Sequence, residues 1–404
     1  MTQFDPGSTA FMLISATLVM IMTPGLAFFY GGLVGRKNVL AIMIQSFFSM
    51  GWTTFLWWAV GYSLTFSGGE GKVIGDLHYA FLQGVRPQDV FSPNNGIPLL
   101  VLFVYQMMFA IITPALITGA FANRIKFAAY TIFLTLWMLF VYFPIAHCVW
   151  GGGLFASWGA LDFAGGMPVH TTAGFAALAS VLFVGRRRVQ DRGPHSVPLV
   201  ALGTALLWFG WYGFNAGSEL RIDNITPLAF ANTDIAASIA APTWLFMAWI
   251  FEKKPKFVGL LTGAVAGLVA ITPAAGYVGI GSAVAIGFIA SIVCYFAVAL
   301  KNKMGLDDAL DVWGVHGAGG VISVILTGIL ASKLWNPAGA DGLLHGGTRF
   351  FGVEAGCVLL TAAYAFAFTY SALWLINKIT PVRVTTEAEE AGLDTAEHGE
   401  AAYI

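Results

Sequence analysis

The sequence is short of charge. Of its 404 residues only 10% are Asp, Glu, Lys or Arg, while 57% are apolar and mean hydropathy is +0.76. A water-soluble domain carries roughly 25% charged residues. A chain this poor in charge cannot cover a soluble surface, so lipid must cover much of it. The net charge of −1 argues against a nucleic-acid partner, which needs a basic surface. Three scattered cysteines, Cys148, Cys294 and Cys357, with no CxxC or Cys/His spacing, indicate neither a disulfide framework nor a zinc site, and no cofactor is implied. The N-terminus has no basic region and no small-residue cleavage site, and it carries the acidic Asp5. It does not read as a secretory signal, so the first apolar segment is expected to be retained.

What the sequence has is long apolar runs. They fall at 9–31, 39–66, 98–122, 127–147, 164–185, 197–217, 227–251, 258–275, 278–300, 311–332 and 351–377, each near the length of about 20 residues that spans a bilayer. Helices are the expected form, because an open sheet edge cannot be satisfied in lipid and barrel strands alternate polar with apolar. The fold class is therefore an all-α membrane protein of eleven transmembrane helices. The eighth and ninth runs, interrupted by Pro273 and glycines, are the least regular. Forty-eight glycines suit close helix packing in lipid.

Lys and Arg set the expected orientation. Counting loops alternately, one side holds Arg36, Lys37, Arg124, Lys126, Arg186, Arg187, Arg188, Arg192, Lys253, Lys254, Lys256, Lys301, Lys303, Lys378 and Arg383. The other holds only Lys72, Arg86, Arg221, Lys333 and Arg349. The first side reads as the cytoplasm, with the N-terminus outside and the C-terminus inside. A membrane domain over 1–380 is then followed by a polar, acidic cytoplasmic tail over 381–404. That tail is either a solvated extension or a docking and gating element.

Ionisable residues inside a span are functional candidates by default. His170 and His316 are two, and each follows an aspartate, Asp162 and Asp311. At 1.5 Å per residue, His170 lies about 12 Å beyond Asp162 and His316 about 7.5 Å beyond Asp311, approaching from opposite membrane faces. The aspartates read as caps for orphan amides at helix starts. Fifth and tenth are equivalent positions in two five-helix halves, 9–185 and 197–332. An odd number of spans per repeat forces inverted topology with the site at the repeat interface, and the helix at 351–377 is then an addition. Neutral imidazole both donates and accepts and titrates near pH 6.5, so two of them suit a pore that holds a small polar solute or relays a proton. Phe109, Trp150, Trp211 and Phe214 lie near span ends. They fit either an interfacial belt or a cation–π cage closed by a hydroxyl such as Ser218.

At these residues the chain resembles the ammonium transporters of the Amt/Mep/Rh superfamily, on the bacterial and archaeal Amt branch. The motifs are Asp162-Phe163-Ala164-Gly165-Gly166 with Val169-His170 and Ala173-Gly174, the run Pro144–Gly153, Trp211–Ser218, and Asp311–Gly317. The resemblance implies a homotrimer in the cytoplasmic membrane, each subunit with its own pore. It implies a vestibule of Phe109, Trp150 and Ser218 for ammonium or methylammonium, and a mouth closed by Phe109 and Phe214. Twin pore histidines fall on His170 and His316, and Asp162 has structural and proton-path roles. Gly392, Asp394, His398 and Glu400 match a regulatory tail, and a PII-type signalling protein is the implied cytoplasmic partner. Trp313 stands where Phe is usual and would narrow the inner pore. Tyr105 replaces a common Phe, and Asp234 an apolar residue; near a helix start an acid is favourable.

Three other readings compete. An ammonium sensor on the same scaffold would carry an output domain, against about 25 residues after the last span. An electroneutral gas channel of Rh type is disfavoured by Trp150. An enzyme would need a nucleophile–base set that the spans lack. If the proton travels with ammonia, transport is electrogenic, which the Amt branch favours.

Overall fold

Runs of apolar side chains leave backbone hydrogen bonding to be satisfied within each segment, and in this chain helices do that throughout. The structure is a computed structural model describing residues 4–91, 96–191 and 193–403; Arg192 lies outside the described residues. Among the described residues ten helices are long and apolar enough to cross a membrane: α1 Pro6–Leu33, α2 Arg36–Phe66, α3 Leu99–Ile117, α4 Phe127–Trp158, α5 Gly166–Val184, α6 Val197–Glu219, α7 Ile225–Glu252, α9 Ile280–Lys303, α10 Trp313–Leu330 and α11 Thr348–Ile379. Between α7 and α9 runs a shorter apolar helix, α8 Phe257–Ile271. The eighth run was expected to reach residue 275. It stops at Ile271 because Pro273 cannot continue a helix, and turns from Ala274 to Ile271 and from Tyr277 to Ala274 follow. Among the described residues the only β pairings are two isolated bridges.

The first helices of the two expected halves, α1 and α6, lie side by side and antiparallel. A Cβ on Gly32 would meet Val200, one on Gly203 would meet Gly25 and Phe29, and one on Gly213 would meet Ser15. Residue numbers rise on one helix as they fall on the other.

The same antiparallel logic governs α5 and α10, with more consequence. Each begins in a wide π-helical turn, Gly166–Thr171 and Trp313–Ala318, and each turn contains its histidine. A Cβ on Gly174 would sit 2.0 Å from the Gly317 amide nitrogen, and one on Gly320 would sit 2.7 Å from the Thr171 amide nitrogen. The residue four beyond each histidine thus packs on the residue one beyond the other. This reciprocity is what a two-fold axis through the crossing produces, and it presses the two histidine turns together.

After α11 the chain does not drift into solvent. It forms α12 Thr386–Ala391 and α13 Leu393–His398, folded back onto the ends of α2 and α4. The Leu393 amide donates to Asn38 Oδ1 and the Ala41 amide to Asp394 Oδ1, both at 2.8 Å. Leu393 is buried against Ala41 and Val384.

Candidate functional site

The site is a column of side chains running down the bundle from the face opposite the tail. At its top, Phe109 of α3 and Phe214 of α6 are fully buried and stack with ring centroids 4.1 Å apart and planes 26° apart. Trp150 of α4 stands edge-on to Phe109 at 5.8 Å. Its indole is not free to turn, because Nε1 donates to the Asp162 carbonyl at 2.9 Å. Ser218 closes the cluster: its hydroxyl donates to the Phe214 carbonyl at 2.9 Å and lies 3.2 Å from the Tyr105 hydroxyl. Tyr105, where a Phe would be common, ties this corner down by donating to the carbonyls of Gly213 and Phe214.

Below the stacked rings come the histidines. His170 stacks on Trp211 at 5.6 Å and on His316 at 5.3 Å. The two Nδ1 atoms are 3.3 Å apart. Such a contact needs one N–H and one lone pair, so two neutral rings adopt opposite tautomers. His170 Nε2 is buried with no partner. By contrast His147, also in a span, has both ring nitrogens on carbonyls, of Thr65 and Gly69. The imidazoles, expected to approach from opposite membrane faces, are brought into contact by the glycine crossing.

A cavity of about 270 Å³ runs from Phe214 and Trp211 past both histidines to Arg187, Asp191 and Asp311 near the tail face. Its walls between are mainly apolar, among them Leu26, Phe29 and Val265. A neutral hydrogen-bonding molecule fits such a lumen; an unpaired cation there loses its hydration with little in return.

The aspartates divide. Asp162 accepts from the amides of Gly165, Gly166 and Met167 at 2.6–2.8 Å. Asp311, expected to cap the tenth helix, does not do so with its side chain. It pairs with Lys301 Nζ at 2.6 Å, and Asp308, three residues earlier, accepts the Trp313 amide at 2.7 Å. Burial pushes the Asp308 carboxyl up to about 6, against the lowering pull of Lys301. Asp307 nearby is also partly buried, yet hydrogen bonds from Arg187 and the charge of Arg124 hold it below the usual carboxylate range.

Asp234 is the tenth residue of α7 rather than a first-turn acid, and its partner is the Tyr212 hydroxyl at 2.6 Å. Trp313 packs against Gly317 instead of lining the cavity. In the tail, Gly392 fits against Lys37, His398 meets the Phe127 ring edge-on at 5.5 Å, and the Glu400 amide donates to the Asp394 carbonyl. Sequence reasoning passed over Asp308 and Glu354, and counted Lys301 only as a charge that sets orientation. The signal for Glu354 was present: a lone carboxylate within the apolar run of α11.

The family model described as Ammonium Transporter Family matches residues 10–403. The chain is 44% identical to an ammonium transporter of Bacillus subtilis over 402 residues, covering 98% of each protein. The structure of Mep2 from Candida albicans superposes with a TM-score of 0.89 at 36% identity, covering 95% of this chain and 88% of that one. A structure described as a sensor Amt protein does so with a TM-score of 0.88 at 30% identity, covering 97% and 98%. These relatives are transporters and a sensor, not enzymes, and the chain is a multi-pass membrane protein that belongs to the ammonium transporter family.

Proposed function

We propose that the protein carries ammonium across the cytoplasmic membrane by taking the cation in at an aromatic vestibule and passing ammonia through the histidine-lined lumen. The supporting observation is the vertical order of the column: a stacked phenylalanine pair directly over two touching imidazoles in an apolar cavity. Phe109, Trp150 and Ser218 supply cation–π faces and a hydroxyl. Phe109 and Phe214 act as the gate. A bare cation is costly in the apolar lumen, so ammonium gives up a proton at the mouth and ammonia continues. His170 and His316 accept from or donate to ammonia and relay the proton along their Nδ1 contact, so that one charge crosses with each ammonia. Asp162 holds the start of α5 and lies on the proton path. Potassium has no proton to lose and is refused.

The vestibule faces outward and the tail face is cytoplasmic, as the Lys and Arg distribution implies. Each subunit of a homotrimer has its own pore, and the docked tail with Gly392, Asp394, His398 and Glu400 offers a cytoplasmic partner of PII type its seat. A sensor built on this scaffold is the second reading, favoured by the likeness to the sensor structure.

The test is current on a solid-supported membrane after an ammonium jump, comparing wild type with His170→Ala/His316→Ala. A wild-type current lost in the double variant supports electrogenic transport through the pair. No current but a fast internal pH change in the vesicles means ammonia crosses alone. Neither signal points to a sensor, or to a form locked shut by its own tail.

A further inference from the structure

Glu354 is a carboxylate two turns into α11, and it is fully buried. Its Oε1 accepts the Leu161 amide at 2.6 Å, while Oε2 has no partner. It enters through a notch: Gly328 of α10 lies against it, and a Cβ there would be 3.2 Å from Glu354 Cβ. A carboxyl group in such a place is costly, and nothing assigned so far to the vestibule or the pore uses it.

What it holds is the segment between α4 and α5. Leu161 precedes Asp162, whose carbonyl fixes the Trp150 indole and whose carboxylate gathers three amides of the histidine turn. On the other flank the Phe163 amide donates to the Pro273 carbonyl at 3.1 Å. Asp162 is therefore gripped from both sides, by α11 on one and by the turn after α8 on the other. Only the α11 grip is a side chain.

We infer that Glu354 is a positioning residue for the vestibule, clamping the Leu161–Asp162 backbone so that Trp150 presents its face to the cation. This rests on the transport reading above. Replacing Glu354 by Leu removes the acceptor and orphans the Leu161 amide; Gln keeps an acceptor at the same atom.

The test joins two measurements on the full-length protein. In ammonium-jump currents, Glu354→Leu raises the half-saturating ammonium concentration about three- to tenfold, the size of one lost hydrogen bond, with peak current retained. Glu354→Gln stays within about twofold of wild type on the same scale. Trp150→Phe raises the same parameter, and the Glu354→Leu/Trp150→Phe double variant exceeds the larger single change by little, because both act through one indole. Gly328→Ala, which pushes on Glu354 from α10, shifts half-saturation the same way if Glu354→Leu proves too unstable to purify. Unchanged half-saturation in Glu354→Leu or Gly328→Ala overturns the inference, as does equal damage from Leu and Gln, or independent effects in the double variant. Amide hydrogen exchange over residues 159–165 is the second measurement and needs no transport. It accelerates in Glu354→Leu and not in Glu354→Gln, and equal protection in all three proteins overturns the clamp. A silent wild type with this exchange pattern would reject the transport reading and leave the clamp standing.

Discussion

The two histidine helices start in the same kind of turn and are anchored by opposite means. At the start of α5, Asp162 is surrounded by backbone amides and no Lys or Arg is paired with it among the described residues. At the start of α10, Asp308 takes an amide while its own carbonyl accepts from Lys301, which also pairs with Asp311. One end is satisfied by dipoles, the other by a fixed cation. The difference suits the direction of traffic proposed above. A carboxylate left unneutralised beneath the vestibule favours an arriving cation, and a neutralised exit does not retain one.

Substitutions at three positions probe that contrast. The largest effect belongs to Asp162→Ala, which orphans three buried amides at about 1–3 kcal/mol each; ammonium-evoked current should vanish and the detergent melting temperature fall by several degrees. Asp162→Asn keeps acceptor capacity and should recover much of the stability, which separates cap from charge. Next is Lys301→Met. Asp311 is 37% exposed, so screening reduces the loss below the roughly 3–5 kcal/mol of a fully buried broken pair. Peak current should drop while half-saturation holds; a shift in half-saturation instead would break the contrast between entrance and exit. The smallest is Asp308→Asn. With its folded value at about 6 against 3.8 for a free aspartate, the folded state keeps this proton longer than the unfolded chain. Its contribution to stability is therefore full below pH 4 and lost as pH rises through 6. The variant should flatten the melting temperature over that interval, and an unchanged slope would mean Asp308 is not the group responsible.

Much of the fold was legible because lipid imposes a simple rule: each crossing needs an unbroken apolar run, and ten of eleven are plain from Pro6 to Ile379. The eighth was drawn too long because Gly and Ala around Pro273 are apolar without being helical. The histidines stood out because imidazole is rare in such runs. Glu354 obeys the same rule and was passed over because it lies only two turns into its span, where a carboxylate reads as interfacial. The roles of Asp307, Asp308 and Asp311 could not be separated by spacing, since all three crowd into the six residues before the start of α10 at Trp313; only the position of Lys301 distinguishes them. Tail docking had no periodic signature, because six-residue helices are too short to show one.

The stack of Phe109 on Phe214 also bears on speed. Nothing as large as ammonia passes two buried rings 4.1 Å apart unless at least one swings aside. On the route proposed above, each passage waits for a rotation inside a close-packed interior, and the frequency of that rotation sets a ceiling on throughput that no concentration gradient can lift. The signature is thermal. Flux through a standing opening follows the gentle temperature dependence of water's viscosity, whereas flux past a swinging door carries the activation enthalpy of the hinge.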